Sequence, residues 1–300
     1  MTNKETLNGI FAPVNTPFIN DELRLDHLRF NLEDYGTSKL KGYLALGSNG
    51  EFRSMTEKEQ WQVLEIFAEC KGEKIIMVGT ACESTRETIE KSKRFAEFGF
   101  EYVSVLTPGY FSRLMTGEVL RYHFETIADA IPVPLLIYNA PQFTGGVKVP
   151  PATLAALAKH PNIVGIKDSS SEGPGKYLNQ IDPQDDFHIL AGSSSTFYPA
   201  LHLGARGGII SLANVFPDQV VELFEAWNKQ HYDKARDIHL RLGRLTSAVS
   251  GSYGVAGVKA AMNIVGLKGD EPRRPLQPVP QTGVETIRNA MIQNGFLKKD

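Results

Sequence analysis

A lysine at the end of an apolar run is the residue of this sequence with the clearest potential for covalent chemistry. Lys167 follows the run from Ile163 to Ile166, which is typical of a buried strand. Most lysines at such places extend their stems and keep the ammonium in water. An ammonium walled by apolar side chains instead loses solvation, so its pKa falls and its amine can attack a carbonyl to form a Schiff base. The surroundings of Lys167 decide between these two interpretations.

A Schiff-base mechanism also needs a group that moves protons, and Tyr138 ends the candidate strand that precedes the strand of Lys167. A phenol with a pKa of about 10 is a poor base unless other hydroxyls hydrogen-bond to it. Ser48 and Tyr110 each follow another candidate strand. Their hydroxyls are candidates for a hydrogen-bonded relay that carries protons to and from Tyr138. Singly, each has an ordinary explanation in packing or in a turn. Together, at the same end of the strands, they favour the catalytic interpretation.

The turn that contains Ser48 also indicates where an anion would bind. Gly47 and Gly50 flank Ser48 and Asn49, and glycines let backbone N–H groups approach an anion closely. The amides and side chains of Ser48 and Asn49 would then hold the carboxylate of a keto acid.

The elements that must position these residues follow a regular pattern. Short β-rich runs alternate with longer amphipathic runs, which is typical of parallel strands joined by helices. Eight such units fit, the number that closes a (β/α)8 barrel, and barrel active sites lie in the loops that follow the strands. An open doubly wound sheet is the alternative, disfavoured because no G-x-G-x-x-G follows the first strand. The predicted strands are residues 9–15, 42–46, 74–79, 102–106, 134–138, 163–167, 187–191 and 207–211.

We therefore predict an α/β protein, a (β/α)8 TIM barrel with a helical C-terminal extension. The catalytic barrel is predicted to span residues 1–230, and residues 231–300 are predicted to form helices that pack on the barrel. No linker or low-complexity segment separates the strand and helix units of the barrel.

Composition excludes several classes of partner. The chain of 300 residues has 32 basic and 34 acidic residues and no basic run, so nucleic acid and anionic membranes are not expected partners. No stretch approaches the roughly 20 apolar residues of a membrane span. Two cysteines do not make a disulfide framework, and we expect a cytoplasmic protein. The histidines form no H-x-H or H-E-x-x-H pair, so we expect no metal.

Four short motifs follow one another at the expected strand ends. They are Gly47–Glu51, Thr107–Tyr110, Tyr138–Gly145 and Gly165–Ser169. With them, the chain resembles the dihydrodipicolinate synthase and N-acetylneuraminate lyase family of class I pyruvate aldolases, over almost its whole length. A single motif of this kind is weak evidence, but four in this order are strong.

The resemblance implies a role for each matching residue. Lys167 matches the lysine that forms an imine with pyruvate or another 2-keto acid, and Tyr138 matches the tyrosine that shuttles protons. Ser48 and Asn49 match the pair that orients this tyrosine and binds the carboxylate. Tyr110 matches a tyrosine that in many members reaches into the site of a neighbouring subunit. The implied substrate-binding residues are Ser48, Asn49, Phe143, Ser169, Gly192 and Ile210.

The departures from the family pattern concern the second substrate. Phe143 stands where dihydrodipicolinate synthases carry an arginine that binds a carboxylate of the aldehyde. Ser193, Ser194 and Ser195 stand where sialic-acid lyases carry acidic residues. The GSNGEF segment (residues 47–52) and the C-terminal EPRRPLQP segment (residues 271–278) look most like the branch with 4-hydroxy-2-oxoglutarate aldolase and the 2-keto-3-deoxy sugar-acid aldolases.

This branch implies a lyase that cleaves or forms a 4-hydroxy-2-keto acid, with pyruvate as the keto-acid fragment. It implies no cofactor beyond the imine at Lys167 and a homotetramer built as a dimer of dimers. A dehydratase or hydratase-aldolase, a dihydrodipicolinate synthase, and a non-catalytic relative that binds a keto acid are the alternatives that the sequence leaves open.

Overall fold

The computed structural model of the protein describes residues 6–182 and 184–299. Eight parallel strands form a closed barrel in the order β1-β10-β9-β8-β7-β6-β5-β4, and β2 and β3 form a separate antiparallel hairpin. The prediction of a (β/α)8 TIM barrel is confirmed. The strands are β1 Gly9–Pro13, β2 Phe18–Ile19, β3 Glu22–Leu23, β4 Gly42–Ala45, β5 Ile75–Gly79, β6 Tyr102–Leu106, β7 Leu135–Asn139, β8 Ile163–Asp168, β9 His188–Ala191 and β10 Gly207–Ile209.

Helices lie between the strands and follow the last strand. The helix Glu57–Cys70 begins at a capping box. The Thr56 side chain accepts a hydrogen bond from the backbone N–H of Glu59, and the Glu59 side chain accepts one from the backbone N–H of Thr56. The helices are α1 Leu25–Gly36, α2 Glu57–Cys70, α3 Thr85–Ala96, α4 Gly117–Ala130, α5 Pro151–Leu157, α6 Gly175–Leu178, α7 Ser194–His202, α8 Pro217–Asn228, α9 Tyr232–Thr246, α10 Ser252–Ile264 and α11 Gln281–Gln293.

The chain divides into two compact units, and each is built from separated segments. The first unit comprises Met1–Gly9 and Ile75–Ile209, and the second comprises Ile10–Lys74 and Ile210–Asp300. Helices α9 to α11 supply the predicted helical C-terminal segment. The predicted boundary at residue 230 stays a prediction. In the described part of the chain, no helix is both long and apolar enough to cross a membrane.

In the first unit, the adjacent strands β7 and β8 carry Tyr138 and Lys167, and β9 pairs with the other side of β8. Strand β8 is buried along its whole length, and its Ile163 and Ile166 pack in the core of this unit. Gly165 brings β8 close to β9, because a Cβ there would lie 2.3 Å from the carbonyl oxygen of His188. This close pairing fixes the register of the residues that follow Gly165 on the strand.

Candidate active site

Lys167 and Tyr138 are neighbours on adjacent strands of the first unit. They are paired in register between β7 and β8, and the Lys167 Nζ lies 4.3 Å from the centroid of the Tyr138 ring. Both side chains are buried, with exposed fractions of 4% for Lys167 and 6% for Tyr138. Of the two interpretations of Lys167, the extended surface lysine does not fit this burial.

The surroundings of Lys167 change its acidity. Burial lowers the pKa of the Lys167 ammonium below 10.5, and the neighbouring Tyr138 hydroxyl offsets only part of this effect. Desolvation destabilises the charged form, so a larger share of the amine is neutral near neutral pH than for a lysine in water. A neutral amine is the form that adds to a carbonyl carbon.

The residues that follow this pair form a second buried pair that the sequence analysis missed. Asn139 and Asp168 are fully buried, and the Asn139 Nδ2 donates a hydrogen bond of 2.6 Å to Asp168 Oδ1. The Asn139 Oδ1 accepts from the backbone N–H of Val149 at 3.0 Å, and the Ser170 hydroxyl donates to Asp168 Oδ2 at 2.9 Å. The sequence contains one signal for this pair: Asn139 directly follows Tyr138, and Asp168 directly follows Lys167, at the ends of two candidate strands. This network fixes the ends of both strands directly beside Tyr138 and Lys167.

Gly192 approaches the loop that follows Lys167 more closely than any side chain would allow. A Cβ at Gly192 would lie 2.0 Å from the Ser169 Oγ, and the Gly192 N–H donates to the carbonyl of Asp168 at 2.7 Å. The Ser169 N–H donates to the carbonyl of Asn139 at 2.9 Å. Ser169 and Gly192, both predicted to bind substrate, therefore lie together.

A cavity of 270 Å³ opens beside Ser169 within the first unit. Its polar lining is rich in hydroxyl groups, and Lys148 is the cationic residue among the described residues that line it. The Lys148 ammonium is paired with the carboxylate of Glu172. The polar residues that line the cavity are Gln142, Lys148, Ser169, Ser170, Ser171, Ser193 and Ser195.

Ser48, Asn49 and Ile210 belong to the second unit. Asn49 is held at two atoms: its carbonyl accepts from Asn15 Nδ2 at 3.0 Å, and its Nδ2 donates to the Ser211 hydroxyl at 2.7 Å. Ser48 is half-buried, and Ile210 is fully buried. These contacts give the turn after β4 a defined conformation.

Tyr110 and Phe143 lie in exposed positions of the first unit. Tyr110 has an exposed fraction of 80%, and its ring packs edge-on against Phe111 at 4.9 Å between centroids. The backbone N–H of Tyr110 donates to the carboxylate of Glu83 at 3.0 Å. Phe143 ends a short 3-10 turn and is 58% exposed. Neither ring is buried beside Lys167, so a role for Tyr110 in the relay would need its ring to be covered.

Residues 6–182 and 184–299 contain no group of three or more His, Cys, Asp or Glu side chains that could hold a metal ion.

Comparison with known proteins supplies the family. A model of the dihydrodipicolinate synthetase family matches residues 6–294. The chain belongs to this family. It is therefore a lyase of the class I aldolase type.

Two relatives of the dihydrodipicolinate synthetase family are similar to this chain over nearly its whole length. A 4-hydroxy-tetrahydrodipicolinate synthase of Methanospirillum hungatei is 31% identical over 288 residues, which are 94% of this chain and 98% of that protein. A DapA-like lyase of Halobacterium salinarum, described as uncharacterized, is 33% identical over 298 residues, which are 97% of this chain and 95% of that protein.

Solved structures of dihydrodipicolinate synthases have the same fold. The enzyme from Thermotoga maritima superposes with a TM-score of 0.91 at 29% identity, covering 97% of this chain and 100% of that chain. The enzyme from Acinetobacter baumannii, solved in complex with pyruvate, superposes with a TM-score of 0.89 at 29% identity and the same coverage. The roles of the individual site residues in this chain stay predictions.

Proposed function

We propose that Lys167 forms an imine with pyruvate, and that the protein makes or breaks a carbon–carbon bond between pyruvate and an aldehyde. The observation that carries this proposal is the burial of Lys167 against the Tyr138 ring, which lowers the pKa of the ammonium. The pyruvate complex of the Acinetobacter baumannii enzyme supports pyruvate as the keto acid.

The proposed reaction uses Lys167 as nucleophile and Tyr138 as proton carrier. The Lys167 Nζ adds to C2 of pyruvate and water leaves, which gives a cationic imine. Loss of a proton from C3 then gives an enamine, whose C3 attacks the aldehyde carbon and forms the C3–C4 bond. In the cleavage direction Tyr138 takes the proton of the C4 hydroxyl as this bond breaks. Hydrolysis of the imine releases the keto acid and regenerates the amine.

The remaining residues complete the proposed site. We propose that Ser48 and Asn49 bind the carboxylate of pyruvate, and that Gly192 and Ile210 shape its pocket. The fixed conformation of the turn that carries Asn49 supports its part in this assignment.

The cavity beside Ser169 supports a hydroxylated, uncharged aldehyde as the second substrate. Its serine hydroxyls can donate to and accept from sugar-like hydroxyls, whereas its cation, Lys148, is already paired with Glu172. Phe143 offers no positive charge at the position of the synthases' arginine. A 4-hydroxy-2-keto acid derived from a sugar acid is the product or substrate that this lining fits best.

A second candidate function is the synthesis of 4-hydroxy-tetrahydrodipicolinate. The name of the Methanospirillum hungatei relative favours this candidate over the first. It requires aspartate semialdehyde, whose own carboxylate would need a cation that neither Phe143 nor the paired Lys148 provides.

Trapping with borohydride tests the imine. Pyruvate and sodium borohydride are added to the protein, and peptide mass spectrometry locates the reduced adduct. The expected result is a pyruvyl group on Lys167, absent from a Lys167→Ala variant. An unmodified Lys167 in the folded wild-type protein contradicts the proposal.

A matched pair of aldehydes separates the two candidate functions. Turnover is measured with pyruvate and aspartate semialdehyde, and with pyruvate and uncharged hydroxyaldehydes, for the wild type and a Phe143→Arg variant. We expect the wild type to prefer the hydroxyaldehydes and the variant to gain activity with aspartate semialdehyde. A wild type that prefers aspartate semialdehyde supports the synthase instead.

We also propose that the protein assembles as a homotetramer. An apolar patch of the first unit supports an interface with a second copy, because single exposed aromatics are common but a cluster marks an interaction site. The patch consists of Tyr110, Phe111 and Leu114, with exposed fractions of 80%, 65% and 65%. Burial in such an interface would cover the Tyr110 ring.

A further inference from the structure

A fully buried lysine of the second unit has no part in the proposed reaction. Lys259 lies on α10 with an exposed fraction of 0%. Its Nζ donates to the carbonyls of Thr16 and Glu271 at 2.7 Å each, and it lies 2.6 Å from Glu51 Oε1. The ammonium therefore makes two hydrogen bonds to backbone carbonyls and an ion pair with the Glu51 carboxylate. The ammonium also lies 4.6 Å from the centroid of the Phe18 ring.

Glu51, the partner of Lys259, ends the turn that contains Ser48 and Asn49. Its exposed fraction is 5%, and its second carboxylate oxygen accepts the backbone N–H of Arg273 at 2.8 Å. Glu51 has a φ of +55°, a left-handed conformation that side chains other than Gly, Asn and Asp seldom adopt. The contacts of its carboxylate with Lys259 and Arg273 therefore hold a backbone conformation that its residue type does not favour.

Other contacts anchor the rest of the turn, but none of them reaches the Glu51 side chain. The Thr16 hydroxyl donates to the carbonyl of Gly50 at 2.8 Å, and Asn15 Nδ2 donates to the carbonyl of Asn49. Thr16 also offers its own carbonyl to Lys259, so the ammonium contacts both the turn and the segment that supports it. Loss of the ammonium would leave the Glu51 carboxylate buried without its cation.

We propose that Lys259 is a positioning residue that, through Glu51, holds the Gly47–Glu51 turn in the conformation that presents Ser48 and Asn49 to the substrate. The effect of Lys259 on pyruvate binding rests on the proposed function. Its effect on the conformation of the turn does not. It assigns a task in substrate binding to the C-terminal segment, to which Lys259 and Arg273 both belong.

The test compares three variants with the wild type. Lys259→Met removes the cation, and the double variant Lys259→Met with Glu51→Gln removes both charges, which relieves the buried unpaired carboxylate. Lys74→Met is the control, because Lys74 is a half-buried lysine of the same unit that donates to the carbonyls of Ser38 and Leu40 at 2.6 and 2.9 Å. Thermal unfolding, the pyruvate concentration that half-saturates borohydride trapping at Lys167, and crystal structures of the variants are the readouts.

We expect Lys259→Met to raise the half-saturating pyruvate concentration by about tenfold or more. The double variant is expected to have a higher melting temperature than Lys259→Met. Its half-saturating pyruvate concentration is expected to stay above that of the wild type. Lys74→Met is expected to lower the melting temperature without changing that concentration. A double variant that recovers pyruvate binding together with stability would show that Lys259 has a structural role alone, and would overturn the proposal.

The crystal structure of the double variant separates this proposal from the proposed function. If the wild type forms no pyruvyl adduct, the proposed imine chemistry is wrong. The conformation of the turn in the variant then tests the role of Lys259 by itself. A Glu51 backbone that leaves the left-handed region supports the role of Lys259, and an unchanged turn overturns it.

Discussion

Lys167 titrates in an environment that disfavours its charged form, and the proposed imine formation should therefore depend on pH. Burial lowers its pKa below 10.5, so the neutral amine appears at lower pH than for a lysine in water. We expect the rate of pyruvate trapping to rise with pH and to level off below pH 10.5. Initial rates of adduct formation across pH, measured by mass spectrometry, check this. An inflection at the pKa of a free lysine would contradict it.

Tyr138 is expected to affect turnover more than binding. A Tyr138→Phe variant keeps the ring against the Lys167 ammonium but lacks the hydroxyl to which we assign proton transfer. Loss of a general acid–base group slows a reaction by about 10² to 10⁴. We expect the turnover rate to fall within this range while borohydride still traps pyruvate on Lys167. Tyr122→Phe, at an exposed tyrosine on α4, is the matched control, and equal losses in both variants would contradict the assignment.

Gly192 is a position where a single methyl group would disturb the site. In a Gly192→Ala variant the Cβ would meet the Ser169 Oγ at 2.0 Å and the carbonyl oxygen of Asp168 at 2.8 Å, so the loop after Lys167 must shift. Overpacking of this kind costs about 1–3 kcal/mol in the free energy of unfolding. We expect this loss in denaturant unfolding, together with a raised KM for pyruvate. Gly36→Ala, where a Cβ meets no atom within 4 Å, is the control that should show neither effect.

At the scale of elements, hydrophobic patterning predicted the strands well because each barrel strand is buried along its length. Strand β6 has the predicted bounds, and β8 extends the predicted run by one residue, Asp168. The Asn139–Asp168 pair escaped prediction because its importance depends on the register between β7 and β8, which one chain's pattern does not determine. Lys259 escaped for the same reason: its partners Thr16 and Glu51 lie more than 200 residues away in the sequence.

The contact between helices α3 and α4 makes stability sensitive to acid. His123 on α4 is buried, its Nδ1 lies 2.8 Å from the Thr85 hydroxyl, and its Nε2 has no hydrogen-bond partner among the described residues. Burial lowers the pKa of His123 from 6.5 to about 4. The unfolded chain therefore binds a proton between these values that the folded chain does not. The resulting stability is fully present above pH 6.5 and is lost as the pH falls towards 4.

We expect the free energy of unfolding to fall by about 3 kcal/mol over this window, at about 1.4 kcal/mol per pKa unit. Denaturant unfolding between pH 7 and pH 4 measures the fall. A His123→Leu variant, with the exposed His231→Leu as control, is expected to show a flatter dependence on pH. A slope that does not change in His123→Leu would assign the acid sensitivity to other groups.

At the scale of the whole molecule, we propose that the exposed patch of Tyr110, Phe111 and Leu114 forms an interface between copies of the chain. Charged substitutions at Phe111 and Leu114 would place charges in this proposed apolar interface, which is unfavourable. We expect a Phe111→Glu, Leu114→Glu variant to sediment as a smaller species than the wild type in analytical ultracentrifugation, with unchanged secondary structure by circular dichroism. An unchanged sedimentation coefficient would show that assembly uses another surface. The exposed Leu203, substituted by Glu, is the control.

The interleaving of the two compact units along the chain has a consequence for synthesis. Synthesis runs from the N-terminus, and the first unit has all its segments once Ile209 has emerged. The second unit must wait for Ile210–Asp300, although its Gly47–Glu51 turn is made early. On the ribosome, that turn remains without Lys259 while the strand of Lys167 is already complete. A nonsense mutation before Lys259 would therefore deprive one of the earliest-made loops of the cation that contacts Glu51, although the strand of Lys167 would already have been made.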